Sequence, residues 1–153
     1  MTSLLETLHP FKDVDRSITR LLEPLFELYH FPADTPIFEQ KEPATYLYLL
    51  VNGLVDVVYK PYDGPHISIS SLKPGNFFGW SAVIGNIAYT SSAICKQDCE
   101  VLCISGRELR QLCKKHPVAG RIILQILADS VSSRWTNAQD QIQSLLNQSV
   151  ANG

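Results

Sequence analysis

Apolar and polar residues change rhythm twice along the chain, and each change predicts a different kind of element. Over residues 1–30 the apolar positions recur at helical spacing. Asp15 stands just before Ile18, Leu21, Leu22, Leu25 and Phe26, so a helix capped by Asp15 is expected there, with Pro24 a threat to its continuity. Between 31 and 104 the runs shorten and become rich in β-branched and aromatic residues. Six of the nine prolines fall from Pro32 to Pro74, so this stretch reads as short strands joined by tight turns. The strands expected are Thr35–Phe38, Tyr46–Val51, Leu54–Tyr59, Ile67–Leu72, Ser91–Cys95 and Glu100–Ile104. Asn52-Gly53 separates two of them and predicts a hairpin with a type I′ turn, which needs positive φ at both positions. Tyr62-Asp63-Gly64-Pro65 and Lys73-Pro74-Gly75 mark further turns. Strands of this length and spacing predict an antiparallel barrel or jelly roll.

Past residue 104 the helical period returns. Ser105-Gly106-Arg107-Glu108 is a capping box opening a helix through Leu109, Leu112 and Cys113 that Pro117 stops. A longer helix starts at Pro117. Its apolar residues Leu124, Leu127, Val131, Trp135, Ala138, Ile142 and Leu145 are three or four apart, close to the 3.5 period of a two-helix seam. The flanking positions are mostly Ser, Gln, Asn and Asp. The far turn would overshoot a small barrel, so a homodimer through this seam is expected.

Composition narrows the classes. The 153 residues suit one domain, with 45% hydrophobic and 18% charged residues. A net charge of −2 and a pI near 6.0 argue against a general nucleic-acid binder. No run of about 18 apolar residues is present, and no secretory h-region precedes residue 20, so a cytoplasmic chain without a membrane span is expected. Cys95, Cys99, Cys103 and Cys113 fit no common zinc spacing, and buried thiols in strands are the reading taken; no metal is expected. Arg107, Arg110, Lys114, Lys115, His116 and Arg121 form the basic concentration, read as a solvated helix face. No helix-turn-helix follows, so direct DNA binding is not expected.

Two stretches carry a family resemblance. Ile37-Phe38-Glu39-Gln40-Lys41-Glu42-Pro43-Ala44 and Leu47–Val57, in this order of helix, strands and capped helix, resemble the cyclic nucleotide-binding domain family. Leu72-Lys73-Pro74-Gly75-Asn76-Phe77-Phe78-Gly79 looks like that family's approach to its phosphate-binding cassette. The style is that of the sensor half of bacterial Crp/Fnr-type regulators without the DNA-binding domain. The resemblance implies a mainly β fold, an antiparallel barrel or jelly roll with flanking helices and a long C-terminal helix. It implies one domain over 1–153, helical over 1–30, barrel over 31–104 and helical again over 105–149.

The resemblance also implies a ligand site at Phe78, Gly79, Trp80, Ser81, Ala82, Val83, Tyr89, Thr90, Ser91, Ser92 and Ala93. A short helix near Gly79 would aim free amides at an anion, and glycine permits close approach. Gly79 and Ser92-Ala93 match the family pattern. The family's ribose-gripping glutamate is Trp80 here, and its phosphate-holding arginine is Ser91, or Thr90 with a one-residue shift. Residues 74–95 hold no charged side chain, and Lys73 and Lys96 flank the gap. A charge-assisted bond is worth roughly 1.5–3 kcal/mol, so its loss weakens binding by about 10–150-fold.

Three readings of function remain open: a sensor with a diverged cassette, a weak cyclic nucleotide binder using amides and hydroxyls, and a dimeric interaction module with no ligand. Phe77, Phe78, Trp80 and Tyr89 would line an aromatic pocket or simply fill the barrel. No cofactor is expected, and an effector would be a cyclic nucleotide or a related small molecule. Catalysis is not expected: Gly79-Trp80-Ser81-Ala82-Val83 lacks the closing glycine of a nucleophile elbow. A metal-dependent jelly roll would need clustered inward histidines, and only His66 lies in the barrel segment.

Overall fold

The segment Leu47-Tyr48-Leu49-Leu50-Val51 is apolar at every position, so both of its faces need cover, and this requirement organises the fold. A computed structural model describes residues 4–61, 64–65, 67–84 and 87–129. Short helices α1 (Leu4–Thr7) and α2 (Arg16–Leu22) come first, each followed by a 3-10 turn, at His9–Phe11 and Glu23–Leu25. The strands are β1 (Glu27–Phe31), β2 (Pro36–Phe38), β3 (Tyr46–Asn52), β4 (Val55–Tyr59), β5 (Ile67–Leu72) and β6 (Phe77–Phe78). Then come helix α3 (Ser81–Ile84), strands β7 (Ser92–Cys95) and β8 (Cys99–Ser105), and helix α4 (Gly106–Lys115). A fifth helix, α5, is described over 117–129.

The strands form two antiparallel four-stranded sheets, ordered β1-β8-β3-β6 and β2-β7-β4-β5, a jelly roll not closed into one continuous wall. In the first sheet β3 and β8 run in register from Tyr46 opposite Ser105 to Leu50 opposite Val101. Their side chains alternate between two cores. Leu47, Leu49, Val51, Leu102 and Ile104 face the helices with Phe11, Leu22, Leu109, Ile123 and Leu127. Tyr48, Leu50, Val101 and Cys103 face the second sheet with Phe38, Val55, Leu72, Phe78 and Ala93.

Both predicted caps are present. The Asp15 carboxylate accepts from the Ser17 N–H at 2.8 Å, and the Ser105 hydroxyl accepts from the Glu108 N–H at 3.3 Å. Three expectations need correction. The helix after Asp15 ends at Leu22, because Pro24 forces a 3-10 turn and Phe26 is already extended. Residues 27–30, expected in the N-terminal helical region, belong to β1, an edge strand paired with β8. Its residues are exposed or half-buried, so no apolar alternation marks it.

The third correction concerns Asn52-Gly53. It does not close a hairpin, since β3 and β4 lie in different sheets. Only Gly53 has positive φ, at 106°. The glycine is required by a close approach: a Cβ there would meet the Asp98 carbonyl oxygen and the Cys99 Sγ at 2.7 Å. The Asn52 side-chain amide meanwhile donates to the Glu100 carboxylate at 2.9 Å. Lys73-Pro74-Gly75 makes the reverse crossing, from β5 to β6, with Gly75 at φ 93° and the Asn76 N–H donating to the Lys73 carbonyl. Tyr62, Asp63 and His66 lie outside the described residues.

Gly53→Ala combines a left-handed backbone with a steric overlap, and each costs roughly 1–3 kcal/mol. A loss of about 3 kcal/mol is expected in urea unfolding, with Tm lower by roughly 6–12 °C for a domain of this size. An unchanged midpoint would contradict the close approach to Asp98 and Cys99.

Candidate ligand site

The segment between β6 and β7 is held at both ends. It leaves the sheet at Gly79, whose φ of 81° and neighbours leave no room for a side chain. A Cβ would sit 2.9 Å from the Tyr46 carbonyl and 3.2 Å from the Tyr48 ring. The turn into α3 spends two amides: the Ala82 N–H donates to the Gly79 carbonyl at 3.1 Å, and the Val83 N–H to the Trp80 carbonyl at 2.9 Å. These two are therefore not available to an anion. The Ser81 side chain is buried, at 8% exposure, and its hydroxyl makes no hydrogen bond among the described residues.

The end of α3 is docked on α4. Arg110 Nη1 donates to the Ala82 carbonyl at 2.7 Å. Gly106 permits the contact, since a Cβ there would fall against the same carbonyl oxygen. Arg110 is exposed like Arg107, Lys114, Lys115, His116 and Arg121, and in addition spends one guanidinium N–H on the Ala82 carbonyl.

The return strand is stitched to residues 41–46. Lys41 N–H donates to the Tyr89 carbonyl at 2.9 Å, Tyr89 N–H to the Glu42 carbonyl at 2.9 Å, and Ala44 N–H to the Ile87 carbonyl at 3.0 Å. The Tyr89 hydroxyl donates to the Tyr46 carbonyl at 2.6 Å and accepts from the Tyr46 N–H at 3.1 Å. Its ring stacks on Phe38 at a centroid distance of 3.8 Å. Phe38 in turn stacks on Tyr48 at 5.6 Å, and Tyr48 on Phe78 at 5.3 Å. This stack fills the space between the sheets.

The predicted site residues therefore divide. Phe78, Tyr89 and Ala93 belong to the core between the sheets, whereas Trp80 and Val83 pack against the core beneath the helices. Ala82 is buried, Thr90 is exposed, and Ser91 and Ser92 are half-buried. The Ser92 hydroxyl accepts from the Gln40 N–H at 2.8 Å. Lys73 is exposed, and Lys96 lies 3.7 Å from the Asp56 carboxylate on β4. Of the seam residues, Leu127 is buried in the chain's own core and Leu124 is 41% exposed. Val131, Trp135, Ala138, Ile142 and Leu145 lie outside the described residues.

Cys95, Cys99 and Cys103 are free and buried in strands, and Cys113 is half-buried. Burial pushes the Cys95 thiol up to about 12 and that of Cys103 to about 11, which disfavours the thiolate needed for chemistry. Among the described residues no group of His, Cys, Asp and Glu is placed to hold a metal ion. Two features gave no sequence signal. One is the Arg110–Ala82 contact. The other is a surface cleft of about 410 Å³ lined by His30, Phe31, Pro32, Asn52, Asp98, Cys99 and Glu100. Both join residues distant in the chain.

Comparison with known proteins bears on the whole arrangement. The family model for the cyclic nucleotide-binding domain matches residues 28–116, more than half of the chain, from β1 to the end of α4. The chain belongs to the cyclic nucleotide-binding domain family. It is 29% identical over 119 residues to the cAMP-activated global transcriptional regulator CRP of Pasteurella multocida, covering 77% of this chain and 55% of the regulator. The chain thus spans about half the length of that relative. Among solved structures, a putative cyclic nucleotide-binding protein from Geobacter metallireducens superimposes with a TM-score of 0.75 and 27% identity. That match covers 88% of this chain and 99% of the other. A cyclic nucleotide-binding domain from Methylobacillus flagellatus gives a TM-score of 0.79 at 21% identity, covering 92% and 79%, and shares the fold. No helix among the described residues is long and apolar enough to cross a membrane.

The aromatic core of this family member makes alkaline stability a test. Burial raises the Tyr48 and Tyr89 hydroxyls above 10.0, and the Cys95 and Cys103 thiols above 9.0. A raised acid stabilises fully below its unfolded value, and that stability is lost as pH rises through the folded value. Tm is expected to be level to about pH 9, decline as the thiols titrate, and fall more steeply above about pH 10. Tyr48→Phe with Tyr89→Phe should lower Tm at pH 7 but flatten the fall above 10. An equal fall in the double variant would place the titration elsewhere.

Proposed function

We propose that this domain is a non-enzymatic regulatory sensor whose cassette has lost the charged anchors used for ordinary cAMP or cGMP. The observation that carries this reading is the lack of any charged side chain in residues 74–95. The family resemblance puts Trp80 at the glutamate position and Ser91, or Thr90 with a one-residue shift, at the arginine position. A cyclic phosphate must then be held by neutral donors, which are about half as strong as charge-assisted ones. The Ser81 hydroxyl supports a small polar effector, since a buried hydroxyl without a partner costs about 1–3 kcal/mol that a ligand would offset.

A signal would pass through the Ala82–Arg110 bond into α4, then through the close crossing of α4 and α5 at Cys113 and Gly120. It would do so only for an effector that binds two arrangements of α3 with different affinity. Dimerisation through the helix after Pro117 and a cytoplasmic setting complete the proposal. A second reading, a dimeric interaction module without a ligand, is supported by the stack of Phe38, Tyr89, Tyr48 and Phe78 in the space between the sheets.

The first test is a thermal melt against cAMP, cGMP and related nucleotides. Ligand at 100 times its Kd adds about 2.7 kcal/mol. Little or no shift with cAMP is expected at concentrations that saturate ordinary sensors. A large shift would overturn the claim that the anchors are needed. Trp80→Glu with Ser91→Arg should raise cAMP affinity by about 10–150-fold. Because Trp80 packs beneath the helices, Ser91→Arg alone is the companion variant, expected to gain less. No gain in either folded protein would refute the assignment of these positions.

Sedimentation tests the dimer separately. A mass twice 17.1 kDa is expected for the wild type, reduced to one copy by Val131→Asp. A monomeric wild type would refute it.

A further inference from the structure

The basic concentration on α4 and α5 adjoins an apolar pair that the fold leaves uncovered. From residue 107 to 121 the chain carries Arg107, Arg110, Lys114, Lys115 and Arg121 against the single carboxylate Glu108. Arg110 is committed to the Ala82 carbonyl. Arg107, Lys114, Lys115 and Arg121 are exposed, and none of the ion pairs among the described residues involves them. Arg107 and Lys114 are seven residues apart and so share one face of α4. The chain then turns at His116, and α5 crosses tightly enough that a Cβ on Gly120 would lie 2.7 Å from the Cys113 Cα. That crossing brings the start of α5 beside the end of α4.

Val118 and Ile122 lie one turn apart on α5, with 77% and 41% exposure. At roughly 100° per residue they lie about a third of a turn round the helix from the buried Ala119, Ile123 and Leu127. Arg121 is next to Ile122, and Lys114 and Lys115 precede Val118 within one turn of chain. The result is an exposed apolar pair with the exposed Arg121 on its flank and the exposed Lys114 and Lys115 close before it in the chain.

We propose that this surface docks an acidic amphipathic helix of a partner protein, with apolar residues seated on Val118 and Ile122 and carboxylates facing Lys114, Lys115 and Arg121. Charge complementarity selects the acidic partner. The apolar pair selects a protein segment over a nucleic-acid backbone, which offers those two side chains nothing. Two apolar side chains are also too few to insert into a bilayer, where binding scales with buried apolar area. The inference goes beyond the sensor reading and holds whether or not the cassette takes a nucleotide.

The test is fluorescence anisotropy of the full chain with a labelled helical peptide whose leucines at i, i+3, i+4 and i+7 are flanked by glutamates. A scrambled peptide of the same composition is the control. Saturable binding of the amphipathic peptide alone is expected, weakened about tenfold or more by Lys114→Glu with Lys115→Glu and Arg121→Glu. Val118→Ser with Ile122→Ser should weaken it comparably. All five residues are exposed, so these variants should keep the wild-type circular dichroism and Tm. Equal binding of the scrambled peptide, no saturable binding, or no loss in either variant would overturn the proposal. So would tighter binding of phosphatidylserine vesicles or duplex DNA. Loss of self-association in the Val118/Ile122 variant would assign the apolar pair to a second copy of the chain and overturn it equally.

Discussion

The pairing of β3 with β8 is the constraint on which the rest of the molecule depends. Both strands carry apolar residues on both faces, so neither can sit at a surface. One set, Leu47, Leu49, Leu102 and Ile104, draws the helices onto the outside. The other, Tyr48, Leu50, Val101 and Cys103, draws the second sheet onto the inside. Fully burying each such side chain contributes about 1.5–3 kcal/mol, an upper bound that disregards residual structure in the unfolded chain. No turn or surface pair in the structure approaches that sum.

The segment between β6 and β7 inherits its position from this pair. Gly79 passes over the Tyr46 carbonyl, the Tyr89 hydroxyl bridges both backbone groups of Tyr46, and Tyr48 anchors the stack. Because β8 leads directly into α4, the same pair places Gly106 and Arg110 against Ala82. The segment between β6 and β7 and helix α4 are thereby fastened to the same strand pair. The Ala82 carbonyl and the Arg110 guanidinium join α3 directly to α4.

Electrostatically the molecule separates two regions. The segment from residue 74 to 95 carries no charged side chain. Five of the thirteen Lys and Arg residues, Arg107, Arg110, Lys114, Lys115 and Arg121, lie on α4 and α5 and are exposed. Membership in the cyclic nucleotide-binding domain family settles the scaffold. The chemistry presented on that scaffold has to be read from this chain's own residues, since a fold does not by itself assign function.

Much of the scaffold was legible in residue order. Runs of β-branched and aromatic residues between prolines located β2, β3, β4, β5, β7 and β8 to within a residue or two. Asp15 and Ser105 marked their helices because a cap is a local hydrogen bond between neighbours in sequence. The lack of charge in residues 74–95 is a property of the sequence alone. β1 was missed because an edge strand with exposed faces has no apolar rhythm, and β6 because two residues are too few to show one. Asn52-Gly53 misled because a turn dipeptide reports only that the chain reverses; which sheet it enters depends on what covers each face. Tertiary structure alone decided that Arg110 reaches Ala82, that Tyr89 latches Tyr46 and that Leu127 turns inward while Val118 and Ile122 remain exposed. Each of these joins groups from different elements, and their distances are set by packing rather than by spacing along the chain.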